Sequence, residues 1–467
     1  MSTRTRIWLL VTAVIVLGYP LAAWLIGFSV ERQIEAREQL VLQQVSPYAS
    51  IVEGTYQRGV FRSTKVVTVS LGSAALKAVP GSDAHSSFRV TVRNTIHHGP
   101  LPGLRTFALA TVDTDVILPP EVQKRIDTLL GGKKLIDLHS TLGWLGGSRS
   151  EFSSPAFKGE IASNTTLSSS GMTGTTTATR NMASSTVSFT AKSLSAADNK
   201  LQLELDDLHL QAALTRAFED LNVGDFSLTL GRCDSHSKKE DGSDTPVALE
   251  KIAFTGKSSV TGEYMDTRGG LTAASLQIPK FSATHLGYEF AVSHLYGPAL
   301  VGLINGMRDI NRTLPSSAST ESLRTERMQK LSEVFRKDGT EILVHDPVFE
   351  ITRIGFVTPE GELKISAKFA APGLKREDVA GAGPAMTAAL VQHLEAQADI
   401  RVDTDLLDKL TEGTAGNGDK LAAQVRAFEG QGYITHDGKA LTTHLVFEHG
   451  KLTINGKSFP PGPGGPH

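Results

Sequence analysis

The chain has 467 residues, a formal net charge of -2 and an aromatic content of 6%. A protein of this length is expected to contain two or three domains, and its near-neutral charge argues against a nucleic-acid partner, which usually selects a basic face. Because Cys233 is the single cysteine, an intramolecular disulfide is excluded.

The first predicted element is a transmembrane helix in the uncharged run Ile7–Val30. About 20 apolar residues cross a bilayer core, and a single span in hydrocarbon must be helical. The apolar run continues past Leu21–Ala23 without a small-residue cleavage site, which favours an uncleaved anchor over a signal peptide. Since Arg4 and Arg6 precede the run and mixed charges follow it, the positive-inside rule places the N-terminus in the cytoplasm and the body outside.

Apolar residues at helical spacing continue from the span to Val45, and Pro47 ends the pattern. Two interpretations are open: a stalk that lifts the body off the membrane or pairs with a second copy, and a helix that packs on its own body. Residues 1–47 are therefore predicted to be a cytoplasmic stub, a transmembrane anchor and a stalk helix.

Residues 48–315 are predicted to form a first β-rich region. From Tyr56 onward apolar and polar residues alternate, which is typical of half-buried antiparallel strands. Pro119–Pro120 opens a short helix that Gly131–Gly132 closes. The Ser/Thr-rich passage Ser163–Ser195 fits either a linker or polar-faced strands, and the flanking alternation favours strands. A helix is expected around residues 212–222, and a solvated loop at Asp234–Asp244.

Residues 316–459 are predicted to form a second, α+β region. Helices are expected at residues 298–310, just before the boundary, and at Glu321–Lys337, and strands resume after Gly339. The closing hairpin turns at His449–Gly450, a two-residue loop that suits the primed turns. The Pro/Gly-rich residues 460–467 are predicted to be disordered.

His97 and His98 are the first candidates for chemistry. Neighbours in a strand point to opposite faces, and the sequence offers no third ligand, so no metal site is predicted. With Asp113 they are the candidate residues of an enzyme assembled from distant strands. No motif for a cofactor is present, and no catalytic residue is assigned.

Several passages resemble the YdgA-like family of bacterial envelope proteins of unassigned function. They are the N-terminal span, the stretch Tyr56–Gly72 (YQRGVFRSTKVVTVSLG), the turn His97–Gly103 (HHGPLPG) and the hairpin Leu445–Lys457 (LVFEHGKLTINGK). The resemblance implies an inner-membrane protein with a periplasmic body, and it implies no catalytic residues.

The expected fold is α+β, with an N-terminal transmembrane helix followed by a mainly antiparallel sheet body and interspersed helices. The favoured function is that of a non-enzymatic envelope protein, anchored in the inner membrane through residues 7–30, which is either a structural partner of another envelope protein or a carrier of an apolar ligand such as a lipid. The alternatives are an envelope enzyme and a self-associating scaffold, which would be a homo-oligomer. An open apolar groove in the sheet, as opposed to a closed core, would favour the ligand carrier.

Overall fold

The computed structural model describes residues 18–38, 49–71, 88–104, 106–162, 164–219, 221–238, 243–314, 321–379, 384–412 and 418–459. The chain divides into two compact units, unit 1 (residues 1–215) and unit 2 (residues 216–467). Antiparallel sheet dominates both units and several helices accompany it, which confirms the α+β prediction.

Unit 1 is an antiparallel sheet with two helices, α1 (18–38) and α2 (Pro120–Leu130). β1 to β6 pair in sequence order, β6 then pairs with β9, β9 with β10 and β10 with β11, while the β7–β8 hairpin joins β10 through β8. The strands of this sheet are β1 Ala49–Arg58, β2 Arg62–Leu71, β3 Phe88–His98, β4 Ala110–Ile117, β5 Asp137–Leu142, β6 Ser148–Ser154, β7 Phe157–Ala162, β8 Thr165–Ser169, β9 Met172–Ala178, β10 Ser184–Ala197 and β11 Leu201–Phe218.

The core of unit 1 lies between α1 and the sheet. Val30 of α1 and Ile96 of β3 are fully buried, and Ile26, Ile34 and Tyr56 pack around them. Polar contacts flank this core: the Arg58 guanidinium lies 3.7 Å from the centre of the Phe28 ring and 2.9 Å from Glu31. Of the two interpretations of the amphipathic helix, its described part, residues 30–38, therefore follows the second, because α1 packs on its own body; residues 18–29 of the predicted anchor pack on the body as well.

Unit 2 is a long antiparallel sheet in which β12 to β18 pair in sequence order. β18 then pairs with β20, which also pairs with β19 and β21, and β21 pairs with β22. The strands are β12 Leu221–Lys238, β13 Asp244–Thr261, β14 Tyr264–Ile278, β15 Phe281–Tyr296, β16 Val348–Thr358, β17 Gly361–Ala370, β18 Glu395–Asp403, β19 Thr435–Asp437, β20 Ala440–Glu448, β21 Lys451–Ile454 and β22 Lys457–Ser458.

The helices of unit 2 lie between β15 and β16 and around β18. A buried cluster joins the first helix to the sheet through Met265, Leu295, Ala299 and Ile342. The helices are α3 Gly297–Thr313, α4 Glu321–Val334, α5 Thr340–Leu343, α6 Arg376–Val379, α7 Pro384–His393, α8 Thr404–Glu412 and α9 Gly418–Gln431. α4 continues into α5 through a π turn at Phe335–Gly339, so Gly339 does not end the helical segment as predicted.

Two local predictions in the middle of the chain are wrong. The helix expected around residues 212–222 is replaced by the end of β11 and the start of β12, because β11 remains paired with β10 as far as Thr215. The loop expected from Asp234 is strand as far as Lys238, where β12 pairs with β13. Cys233 lies in this strand and is half-buried.

The Ser/Thr-rich passage forms strands, as the alternation predicted. Hydroxyl pairs bridge β9 and β10 at Thr177–Thr186 (2.6 Å) and Thr173–Thr190 (3.0 Å). Such cross-strand pairs stabilise a sheet face that carries few apolar side chains.

The predicted domain boundary between residues 315 and 316 and the predicted disordered tail at 460–467 lie outside the described residues, as do the first part of the anchor at 7–17 and the end of the stalk at 39–47. No helix within the described ranges combines the length and the apolar character needed to cross a membrane.

Candidate functional site

His98 and its neighbour His97 point to opposite faces of β3, as strand geometry predicts. His98 faces α1 and is 1% exposed. Its Nδ1 lies 2.9 Å from the Ala23 carbonyl oxygen, and its Nε2 lies 2.9 Å from Ser63 Oγ. These partners suit a neutral ring that donates from Nδ1 and accepts at Nε2. Burial lowers the pKa of His98, and His97 and Arg58 act in the same direction, whereas the bond to Ala23 opposes them.

Asp113 lies on β4 with its side chain on the face opposite to His98, because it is the register partner of Thr95. Its Oδ1 lies 2.7 Å from Nδ1 of His139, and both side chains are half exposed. His97 lies on the same face as Asp113, since its register partner Thr111 is two residues from Asp113, whereas His98 lies on the opposite face, so the three candidate residues do not share one cleft. Across the described part of the chain, no group of three or more His, Cys, Asp or Glu side chains is arranged to hold a metal ion.

Cys233, the single thiol, does not have the environment of a reactive cysteine. Burial raises its pKa, and the neighbouring Asp234 carboxylate raises it further. The thiol is therefore protonated near neutral pH, whereas a nucleophilic cysteine requires a lowered pKa.

Unit 2 carries an apolar row that runs across seven strands. Residues directly opposite each other in an antiparallel pair lie on the same face, so the strand register shows which side chains are neighbours. The register joins Leu228 to Phe254, Phe254 to Leu271 and Leu271 to Tyr288. It then continues to β16, β17 and β18 through Ile354, Ile365 and Ile400.

A second apolar row lies beside the first on the same face. It joins Phe226, Gly256, Gly269 and Phe290 and then reaches Ile351 on β16. The register shifts between Ile351 and residue 354, which is the signature of a β-bulge. The bulge keeps both isoleucines on one face although they are three residues apart, so the apolar face continues across β16.

α3 and α5 cover one end of this face. Met265 and Leu295 are 8% exposed beneath α3 and α5. Further along the same face, Phe254 is 44% exposed, Leu271 49% and Tyr288 47%. Phe349 on β16 and its register partner Phe369 on β17 are also exposed. We call the region of Phe254, Leu271, Tyr288, Phe349 and Phe369 the open face.

Two glycines shape a trough beside the open face. The Phe290 ring lies over Gly269, whereas the space above Gly256 is open to 4 Å from a Cβ position. Phe226 contacts Phe254 at a ring distance of 5.5 Å. A cavity of about 640 Å³ lies over Gly256, Gly269 and Gly270, and its charged lining residues Asp225, Lys257, Arg268 and Glu289 are placed by the register on the face opposite to the apolar rows. Cavities of this size hold small-molecule ligands.

Residues 4–462 match the profile of a family described as "Bacterial protein of unknown function (DUF945)". The chain belongs to this family. Neither the comparison with curated proteins nor the comparison with solved structures finds a match. The DUF945 match covers nearly the whole chain, so it includes the uncharged N-terminal run, the α1 helix and the open face of unit 2.

The open face of this DUF945 protein was only partly visible in the sequence. Alternation in residues 252–260 and 288–295 predicted strands with one apolar side. The alignment of those strands into continuous rows depends on pairing between distant segments, for which the sequence carries no local signal. The burial of His98 against Gly27 of α1 was equally inaccessible, because the two residues are far apart in the chain.

Proposed function

We propose that this protein is a non-enzymatic component of the bacterial envelope that is anchored in the inner membrane and holds a lipid acyl chain on the open face of unit 2. The observation that carries the proposal is the exposed stretch of the apolar row, where Phe254, Leu271 and Tyr288 adjoin on neighbouring strands. Large contiguous apolar patches on soluble surfaces mark binding sites.

The anchor is supported by the sequence of Ile7–Val30, which carries no charge, and by the basic residues that precede it. With the N-terminus in the cytoplasm, both units would lie in the periplasm. An acyl chain suits the open face because it needs only apolar contact along its length.

The burial of His98 on the face opposite to His97 and Asp113 supports a binding function over an enzyme built on all three residues. A self-associating scaffold is the second candidate, because α4 exposes Leu323 and Met328 and buries no side chain. The carrier requires lipid contact at the open face, whereas the scaffold requires contact between chains at α4, so the position of the contact separates them.

The test is photo-crosslinking of the full-length protein in lipid nanodiscs with a phospholipid that carries a diazirine in its acyl chain. We expect cross-links on β13, β14 and β15 at the open face. Leu271→Glu should reduce these cross-links at least about tenfold, because the change places a charge against hydrocarbon. Ala274→Glu is the matched control, since Ala274 lies on the same strand, is exposed, and points to the opposite face.

Cross-links confined to residues 7–30 would show an anchored protein without a lipid site on unit 2, and the carrier proposal would be abandoned. Absence of lipid adducts on unit 2, together with two or more chains in one nanodisc by mass photometry, would favour the scaffold.

A further inference from the structure

Unit 1 exposes large apolar side chains where three of its hairpins turn. β1 to β6 are consecutive antiparallel neighbours, so the β1–β2, β3–β4 and β5–β6 connections lie at one end of the sheet. Phe61 is 45% exposed, Leu104 79%, Phe107 76% and Leu145 91%. We call the turns 59–61, 99–104, 106–109 and 143–147 the apolar tip.

The apolar tip is continuous with the start of α1. The Tyr19 ring stacks on Phe61 at a centroid distance of 5.9 Å, and its hydroxyl donates to the Leu101 carbonyl oxygen at 2.9 Å. On the other side of the same loop, Phe107 contacts Trp144 at 5.5 Å. The segment that precedes α1 in the sequence, residues 7–17, carries no charge.

The outer face of α1 changes character along its length. Near the tip it exposes Leu21 (58%), Trp24 (43%) and Leu25 (55%), while Ala23 is buried against the body. Beyond Phe28 the exposed positions are polar or small, and they are Ser29, Arg32, Glu35 and Ala36. A helix exposed to water along its whole length would not keep three large apolar side chains outside.

Basic side chains adjoin the tip at the level where the outer face turns polar. Arg32, Arg37 and Arg180 line a cavity of about 540 Å³ together with Trp144 and Leu145. The Arg37 guanidinium also donates to the Gly146 carbonyl oxygen at 2.7 Å. At a membrane surface, apolar residues lie in the hydrocarbon, Trp lies at the interface and Arg lies among the anionic headgroups. The side chains near the tip follow this order.

We propose that the apolar tip is immersed in the outer surface of the lipid bilayer that holds the anchor. This inference rests on the proposed anchoring. Ala23 is fully buried by protein, so the part of the anchor that lipid can surround ends near residue 22. If the proposed anchor is helical over residues 7–22, it would extend about 24 Å, whereas the hydrocarbon core is about 30 Å thick. Immersion of the tip by roughly 6 Å closes this difference, and it covers the exposed side chains at the start of α1.

We assign a bilayer as the partner of the apolar tip because the uncharged residues 7–17, which precede α1, would themselves lie in lipid. The arginines beside Trp144 complement the negative phosphates of the headgroup layer. A second copy of the chain or another protein is an alternative occupant that the following experiment identifies.

The test is spin-label depth measurement on the full-length protein, reconstituted at one and at two chains per nanodisc of phosphatidylethanolamine and phosphatidylglycerol. In a Cys233→Ser background, single nitroxides are placed by Leu104→Cys and Leu145→Cys. Lys133→Cys is the matched control, because it is an exposed turn residue in the β4–β5 connection, at the other end of the sheet. Ala13→Cys reports on the anchor itself.

We expect labels at residues 104 and 145 to collide with oxygen more than with a nickel chelate, at depths of about 5–10 Å below the phosphates. The label at 133 should remain accessible to nickel. If the labels at residues 104 and 145 are as accessible to nickel as the label at 133, while the label at 13 is in lipid, the proposed anchor is supported and the immersed tip is refuted. If 13 is also accessible to nickel, both proposals fail. Protection at 104 that requires two chains in one nanodisc would assign the tip to a second copy and overturn the proposal.

Discussion

Gly27→Ala tests the contact that fixes α1 on the sheet of unit 1. A Cβ on residue 27 would lie 2.9 Å from Cε1 and 3.2 Å from Nδ1 of His98. The ring cannot retreat freely, because its nitrogens are held by Ala23 and Ser63 at 2.9 Å each. The substitution must therefore shift either the helix or the imidazole.

The expected magnitude follows from two opposing effects. Alanine in place of glycine stabilises a helix interior by about 1 kcal/mol. Displacing His98 breaks two hydrogen bonds in a site that is 1% exposed, and each costs about 1–2 kcal/mol when a buried partner is left unsatisfied. We therefore expect Gly27→Ala to lower the free energy of opening of α1 by roughly 1–3 kcal/mol.

The assay is amide hydrogen exchange of peptides from α1 in the full-length protein, which reports local opening without requiring two-state unfolding. In a His98→Ala background the steric conflict is absent, so the same Gly27→Ala change should stabilise α1 by about 1 kcal/mol. Ser29→Ala on the exposed face should change protection by less than about 0.5 kcal/mol. Increased protection by Gly27→Ala beside an intact His98 would refute the reasoning.

The remaining predictions concern charge and backbone geometry. Burial lowers the pKa of His98, so the imidazole takes up a proton more readily when α1 is open than when it is docked. The protection of α1 amides should therefore fall as the pH drops below about 6.5 and level off below the lowered pKa. A flat profile from pH 7 to 5 would contradict this. Glu38→Gln should weaken the docking of α1 on the sheet by about 1–3 kcal/mol, because it leaves the ammonium of Lys65 without its carboxylate partner and Lys65 is only 7% exposed. A further Lys65→Met should restore the protection of α1 amides. Gly361→Ala should lower the urea midpoint of unit 2, because residue 361 has φ 150° and its Cβ would lie 2.3 Å from Cβ of Asp403; an unchanged midpoint would show that the β16–β17 turn relaxes.

Elements whose signals are local were predicted well. The helix after Pro119 begins at Pro120 and ends at Gly131, which adopts φ 58°, because proline suits a first turn and glycine a left-handed cap. The last hairpin turns through His449 (φ 51°) and Gly450 (φ 74°), as the primed-turn interpretation predicted. Both depend on residues adjacent in sequence.

Elements that depend on distant partners were not predictable to the same extent. Residues 212–222 have a composition that suits a helix, yet they extend β11 and begin β12, since pairing with neighbouring strands overrides weak propensity. The amphipathic pattern of α1 showed that one face would be covered but not by what. For the candidate site, the sequence indicated apolar strand faces, whereas the open part of the row is set by where α3 and α5 end.

The open face has the energetics of a reversible binding surface. Phe254, Leu271, Tyr288, Phe349 and Phe369 are each 39–49% exposed. With about 200 Å² per large side chain, they leave roughly 400 Å² of apolar surface in water, and covering it yields about 10 kcal/mol before costs. Association costs about 4–15 kcal/mol, which is of similar size. A single acyl chain would therefore bind without being trapped, as a carrier requires, whereas a permanent structural core would bury these residues as completely as Ile96 is buried in unit 1.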